Sequence, residues 1–394
     1  MQNYRNIFLT GATGVLGAHL LRELLEFTDA DIYCLVRAED KTLGMERLQQ
    51  FLAVYDPDGV MSAEFNARVH PVLGDVTSEY FGLTPTAWQE LADRTDIMIH
   101  GAANTNLFAL YQRIAPINVG GTKNAIKFGL AIPSKRFVYI STYTVMGDKT
   151  FDRDFTFRET DHDVGQGFAY LSYQQTKFEA EGFVRAAGAE GLNWKIMRPG
   201  QIFGESATGR YPRGQTNVSG LFYDIFKTII ESGVALYSDT IYDITPVDYV
   251  SRAIRFLALS EPQWHQTYHL TNPDAHTYTE VTRLLQSFGY KINIVPQDEY
   301  KAMLFGKQIR VDGAEYKSNT TKAFRWWYAK ADYDFRWSCQ TDCSWTTSLL
   351  VPRGIQCAKI DEALIGVYLE TGIRESYFPR PPVVPAGSAE AVAY

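Results

Sequence analysis

The chain has 394 residues, 45% of them hydrophobic, and a formal net charge of −7. That length suits one large α/β domain with a smaller appended lobe, and the acidic balance argues against nucleic acid as a partner. The opening MQNYRNIFLTGATG enters a strand at once and leaves no room for a signal peptide, and no apolar run reaches transmembrane length. No membrane association is therefore expected, and a reducing cytoplasm is the expected location.

In chain order, apolar β-rich runs are predicted as strands over 6–10, 31–37, 69–74, 96–101, 136–141 and 193–198. Helices are predicted between them over 14–26, 120–128 and 173–187. Continuous apolar strands alternating with helices imply a doubly wound parallel sheet, Rossmann-like, covered on both faces and joined by right-handed crossovers. Beyond Arg198 the character changes. Residues 204–220 are polar and Gly-rich and read as a mobile loop, 221–232 as a helix, ITPVDYVSRAIRFLAL as a strand and helix, and TYHLTN as a further strand. Residues 273–378 are expected to form a smaller, mostly helical lobe, and the Pro-rich 379–394 a flexible tail.

The four cysteines carry little chemistry in this pattern. Cys34 falls in a predicted buried strand, and Cys339 and Cys343 are spaced to share a helix face, but no His or second Cys pair completes a metal-ligand set. LVPRG at 350–354 resembles a protease-tag fragment, and its depth in the chain makes that a coincidence.

The first strand runs into Gly11-Ala12-Thr13-Gly14-Val15-Leu16-Gly17, a GxxGxxG turn opening a helix. A pyrophosphate needs close access to backbone N–H groups at a helix N-terminus, and side chains would block it. The second strand ends CLVRAED, placing Arg37 where an acidic residue would bind a ribose 2′-hydroxyl. A guanidinium there suits a 2′-phosphate instead, which selects NADP(H), and Arg47 is a candidate second partner. Asp75 and Val76, after the third strand, are placed against adenine. Ala102, Ala103 and Asn104, after the fourth, are placed along the cofactor backbone. Residues 1–203 with about 240–272 are thus expected to bind the dinucleotide, and 204–239 with 273–378 to shape a substrate pocket.

Tyr173 and Lys177 stand in SYQQTKFEAE, one turn apart on a predicted helix face. A phenol with a pKa of about 10 is a poor acid–base catalyst at neutral pH, and a neighbouring ammonium is expected to lower that value. The fifth strand ends in Ser141-Thr142, whose hydroxyls can hold a substrate carbonyl at the carboxyl edge of the sheet. The bland reading of that pair is a capped turn.

With these residues the chain resembles the extended short-chain dehydrogenase/reductases. More narrowly, it resembles the thioester reductase domains that end some nonribosomal peptide synthetases and carboxylic acid reductases. TGATGVLGAHLLREL, DIYCLVRAED with Arg47-Leu48, GDVTSEYFGL, IMIHGAANTN, INVGGTKNAI, FVYISTYTV, YQQTKFEAE, MRPGQIFGES and ITPVDYV carry the likeness, over about residues 5–260. The resemblance implies a Thr142, Tyr173 and Lys177 catalytic set, with Ser141, Pro199, Gly200 and Ile202 beside the cofactor. It also implies an acyl substrate delivered on the phosphopantetheine arm of an acyl or peptidyl carrier protein, or on coenzyme A, and reduced to an aldehyde, in some members onward to an alcohol. Arg210 and Arg213, in the 204–220 loop, are candidate contacts for an acidic carrier. The initiating Met favours a free-standing enzyme over an excised piece. The competing readings are a reductase of free ketones or aldehydes, a sugar-nucleotide epimerase or dehydratase, and an NADP-binding regulator without chemistry. Arg37 disfavours the epimerase and the acid–base set disfavours the regulator. The segments beyond 305, including the aromatic run Phe324-Arg325-Trp326-Trp327-Tyr328, match no family pattern.

Overall fold

A computed structural model describes residues 4–107, 109–168, 171–212, 221–311, 313–318, 320–322, 324–325 and 338–382. Seven strands form its main sheet: β1 (Asn6–Thr10), β2 (Asp31–Val36), β3 (Val69–Leu73), β4 (Ile97–His100), β5 (Arg136–Ile140), β6 (Asn193–Pro199) and β7 (Gln266–Leu270). They are all parallel, in the order β3-β2-β1-β4-β5-β6-β7. The strands end sooner than the apolar runs suggested at Arg37, Gly74, Gly101 and Ser141. All four residues leave the ladder at its carboxyl edge, where they become loops.

Alternation along each strand explains the layering. Ile7, Leu9, Ile97, Ile99, Val138, Ile140 and Met197 face one core, while Phe8, Met98, Phe137, Tyr139 and Ile196 face another. A strand with apolar side chains at both parities must be covered on both faces. The first face is covered by α1 (Val15–Phe27), with the later helix of residues 247–259 beside it. At the sheet edge α2 (Lys41–Leu52) adds Leu48 and Leu52 to that core. On the second face, α3 (Gly121–Ala131) brings Ala125 and Phe128, and α4 (Ser172–Ala186) brings Ala180 and Val184.

A third core lies outside the sheet. It joins Phe203, Tyr211 and residues of α5 (Leu221–Ser232), α7 (Tyr278–Ser287) and α9 (Glu362–Arg374), where α6 is Val247–Leu259 and α8 is Ser344–Leu350. Aromatic rings dominate it, Phe203 to Tyr223 at 5.0 Å and Tyr300 to Phe324 at 5.7 Å among them. Phe324 is thus core, and Trp326, Trp327 and Tyr328 lie outside the described residues.

Three expectations change. Cys339 and Cys343 do not share a helix face: Gln340–Thr341 between them is extended and pairs with Thr156–Phe157, and Cys343 caps α8. Residues 204–212 are not a free loop. Glu205 is buried and pairs with His19 of α1 at 3.0 Å, and the Gly204 N–H donates to the Tyr223 hydroxyl at 3.0 Å. Burying that carboxylate requires a partner, which α1 supplies. Residues 213–220, with Arg213, lie outside the described residues. The Pro-rich end begins held rather than loose, because the Tyr290 hydroxyl donates to the Pro379 carbonyl at 2.6 Å, and 383–394 lie outside the described residues. Leu350 of the tag-like segment is fully buried in the sheet core, so LVPRG belongs to the fold.

Candidate active site

The glycine turn is built for close approach. Gly11 has φ +84°, and a Cβ there would stand 2.7 Å from the Gly101 carbonyl carbon. A Cβ at Gly17 would stand 2.0 Å from the Gly11 carbonyl oxygen. Gly14 caps α1 without a side-chain hydrogen bond, while its own N–H donates to the Gly11 carbonyl at 3.0 Å. The first N–H groups of Val15 and Leu16 thus open a helix whose cap residue, Gly14, carries no side chain, the arrangement a pyrophosphate requires. Thr13 stands within the same turn, between Gly11 and Gly14. Gly17→Ala is expected to weaken NADPH binding more than tenfold and to lower the melting temperature, since backbone cannot yield as a flexible side chain can. Calorimetric titration and thermal melting check this, and wild-type affinity in the variant would overturn the role of the turn.

β1 lies between β2 and β4, so the strand order reverses beside this turn and opens a crevice at the carboxyl edge. Arg37 and Asp75 meet there at 3.8 Å, and Arg47 donates to the Arg37 carbonyl at 2.9 Å. Burial raises the affinity of Asp75 for a proton, but hydrogen bonds from the Thr77 backbone and hydroxyl and the Arg37 charge outweigh it, holding the carboxyl below its usual range. Val76 is buried, and its carbonyl accepts from Asn124 at 2.9 Å. The Ala102 N–H donates to Thr10 at 3.2 Å and the Asn104 N–H to Asn118 at 2.7 Å, with Ala103 carried between them. On the other side of the crevice, the Gly200 N–H donates to Leu270, a Cβ at Gly200 would collide with Asp243, and Ile202 pairs with Thr245. Pro199 ends β6.

α4 carries Tyr173 and Lys177 to the end of β5. Tyr173 is half-buried, and burial pushes its phenol up to about 12, opposed by an interaction with the Thr142 hydroxyl. Thr142 also caps the following turn, accepting from the Thr144 N–H at 3.3 Å. The capped turn is thus present, with the same hydroxyl near the Tyr173 phenol. Lys177 is buried and donates to the Ile140 carbonyl at 2.5 Å, over the Tyr139 ring. Burial lowers it to about 7, opposed by Glu181. The expected depression of the Tyr173 phenol by Lys177 is thus not found. The ammonium is spent on Ile140, and desolvation dominates both groups.

Sequence reasoning missed two buried elements of this site. Asn118 bonds the Asn104 N–H and carbonyl and the Thr176 hydroxyl, tying the 102–104 segment to α4. Glu181 and Arg198 are both fully buried and paired at 2.5 Å. The available signal was a carboxylate four residues beyond Lys177, on the same helix face, with an arginine inside an apolar strand. The Ser141 hydroxyl, placed beside the cofactor by the resemblance, donates to Glu181 at 2.9 Å.

Known proteins resemble the chain over most of its length. The family model for male sterility proteins, an NAD-binding family, matches residues 9–254. The solved terminal R domain from the myxalamid PKS-NRPS biosynthetic pathway superposes with a TM-score of 0.84 at 30% identity, covering 97% of this chain and 94% of that one. The chain belongs to the reductase (R) domains of nonribosomal peptide synthetases. The family is one of NAD(P)-dependent oxidoreductases, thioester reductase-like, on the extended short-chain dehydrogenase/reductase fold. The chain is 30% identical to a linear gramicidin synthase polypeptide of Brevibacillus parabrevis over 93% of its length, and 27% identical to the large L-2-aminoadipate reductase polypeptide of Penicillium chrysogenum over 96%. It spans 7% and 28% of those two proteins. Among the described residues no helix is long and apolar enough to cross a membrane.

Proposed function

We propose that the reductase takes an acyl group from a phosphopantetheine thioester, carried by an acyl or peptidyl carrier protein or by coenzyme A, and reduces it to an aldehyde. The observation that carries this reading is the placement of Thr142, Tyr173 and Lys177 at the carboxyl edge of the sheet, at the end of β5, two strands from the glycine turn. The glycine turn fits a dinucleotide because a Cβ at Gly11 or Gly17 would fill the cradle, and Arg37 with Arg47 supports the 2′-phosphate of NADP(H). Residues 1–203 with about 240–272 serve the cofactor in this reading, and 204–239 with 273–378 the substrate.

Bound NADPH supplies the hydride equivalent that reduces the thioester carbonyl carbon. Thr142 and Tyr173 donate hydrogen bonds to the carbonyl oxygen as negative charge gathers on it, which stabilises the transition state selectively. Tyr173 then passes its proton to that oxygen. Lys177, one turn on along the same helix face, is the donor for the nicotinamide ribose in this reading, so cofactor binding depends on its protonation. The hemithioacetal breaks its C–S bond, releasing the thiol of the arm and the aldehyde. Reduction onward to the alcohol, which some members carry out, takes a second bound NADPH.

The test offers a carrier-bound acyl thioester with NADPH and traps the product with a hydroxylamine reagent. Detection of the oxime is the expected result. Oxidation of NADPH with free ketones or aldehydes, and with no thioester across chain lengths and aminoacyl types, would move the enzyme to reduction of free carbonyls.

A further inference from the structure

Three residues of α4 at successive four-residue steps meet three successive residues at the end of β5. Tyr173 interacts with Thr142, Lys177 donates to the Ile140 carbonyl, and Glu181 accepts from the Ser141 hydroxyl. A helix presents i, i+4 and i+8 along one face, so α4 lies on the strand end as a three-rung contact. The first two rungs are the acid–base pair. The third has no part in the chemistry described above, yet it is the most heavily braced. Glu181 accepts from Arg198 through both Nε and Nη2, at 3.1 and 2.5 Å, and from Arg185 through Nε and Nη2, at 3.1 and 2.9 Å. Arg198 is itself fixed by the Asp161 carbonyl and by His269, and lies over the Phe157 ring.

We propose that Glu181 is a positioning residue for the reduction: it anchors the Ser141-Thr142 strand end to the catalytic helix and sets a buried carboxylate one helical turn from Lys177. The inference rests on the reading of Tyr173 and Lys177 given above.

Buried ion pairs are often replaceable by apolar residues at no loss of stability, so packing alone does not account for a carboxylate buried with two guanidiniums. Its location suggests what it does here. The groups facing Lys177 are the Tyr139 ring and Ile140 carbonyl of β5, His100 of β4, and Tyr173 and Glu181 of α4. Tyr139 is held well above the ordinary phenol range by burial, and His100 is pushed down to about 3 by burial and by Lys177. At neutral pH both are uncharged, and Tyr173 is protonated. Glu181, held down at about 2 by its arginines against the effect of burial, is the anion among these groups. Lys177 otherwise faces a desolvation that favours its neutral form. Ser141 adds the mechanical half, because Thr142 follows it directly and inherits its position.

The test compares wild type with Glu181→Gln and Ser141→Ala. Three quantities are read: NADPH affinity against pH, turnover against pH, and the titration of Lys177 by NMR in the cofactor-free protein. Glu181→Gln is expected to move the Lys177 titration and the alkaline limb of NADPH binding about one pH unit lower. Affinity then falls about tenfold at pH 8 and less than about threefold at pH 6, one pH unit being a tenfold change in the protonated fraction. Ser141→Ala is expected to lower turnover several-fold with the Lys177 titration unmoved. If Glu181→Gln does not fold, Glu181→Asp keeps the charge and draws back the carboxyl. It is expected to lower turnover while leaving the alkaline limb in place. A Glu181→Gln protein that loses the same factor at every pH, or a Ser141→Ala or Glu181→Asp protein with wild-type turnover, would overturn the proposal. The Lys177 titration and NADPH binding need no acyl substrate, so a reductase inactive on thioesters would refute the proposed function without touching this result.

Discussion

Tyr173→Phe is expected to lower turnover by about 10²–10⁴-fold, the loss that follows removal of a general acid. NADPH affinity should stay close to wild type. The ring remains, so packing against Thr142 and the cofactor crevice is preserved, and only the proton is removed. Because burial holds the phenol at about 12, Tyr173 carries that proton across the whole working pH range. A high pKa costs little in the reduction direction, since the oxyanion that receives the proton is a stronger base than phenolate. The alkaline loss of activity in the wild type should therefore follow Lys177, near pH 7, and not Tyr173. Single-turnover measurements with NADPH separate chemistry from binding. Near-normal turnover in Tyr173→Phe would remove the residue from the mechanism.

Arg37→Asp is expected to weaken NADPH binding by about 10²-fold while NADH binding changes far less, as loss of a charge-assisted phosphate pair with an added repulsion requires. The guanidinium is 69% exposed, stands 3.8 Å from Asp75, and is backed by Arg47 on its own carbonyl. Nothing in that geometry commits it to the interior, so it is available to an anionic group at the mouth of the crevice. Exposure also makes the contribution salt-sensitive, and raising ionic strength should narrow the wild-type preference for NADPH. Equal losses for the two cofactors in parallel titrations would remove Arg37 from cofactor selection.

The parallel sheet was legible because its signals are local. Each of NIFLT, DIYCLV and RFVYI is a short apolar run that must be covered on both faces, whatever surrounds it. The glycine turn was legible for the same reason: Gly11, Gly14 and Gly17 sit within one turn and one helix start, and their spacing is itself the constraint. Tyr173 and Lys177 were visible as neighbours on one helix face. The short distance from Arg37 to the end of its strand was enough to place it at the crevice.

What the sequence left open involves partners far apart in the chain. The resemblance set Ser141 beside the cofactor, and its hydrogen bond to Glu181, 40 residues on, comes only with the packing of α4 on β5. The pKa of Tyr173 could not be read from its helix neighbour, because desolvation depends on what the rest of the fold places around it, and here desolvation outweighs the nearby ammonium. The 204–212 segment looked mobile from its glycines. It is held because Glu205 finds His19, 186 residues away. Composition and local periodicity settle which elements form and which residues stand at their ends. Which of those residues lose water, and to which partner each polar atom is given, is decided only when distant elements are packed, because burial and hydrogen-bond pairing are properties of the assembled core.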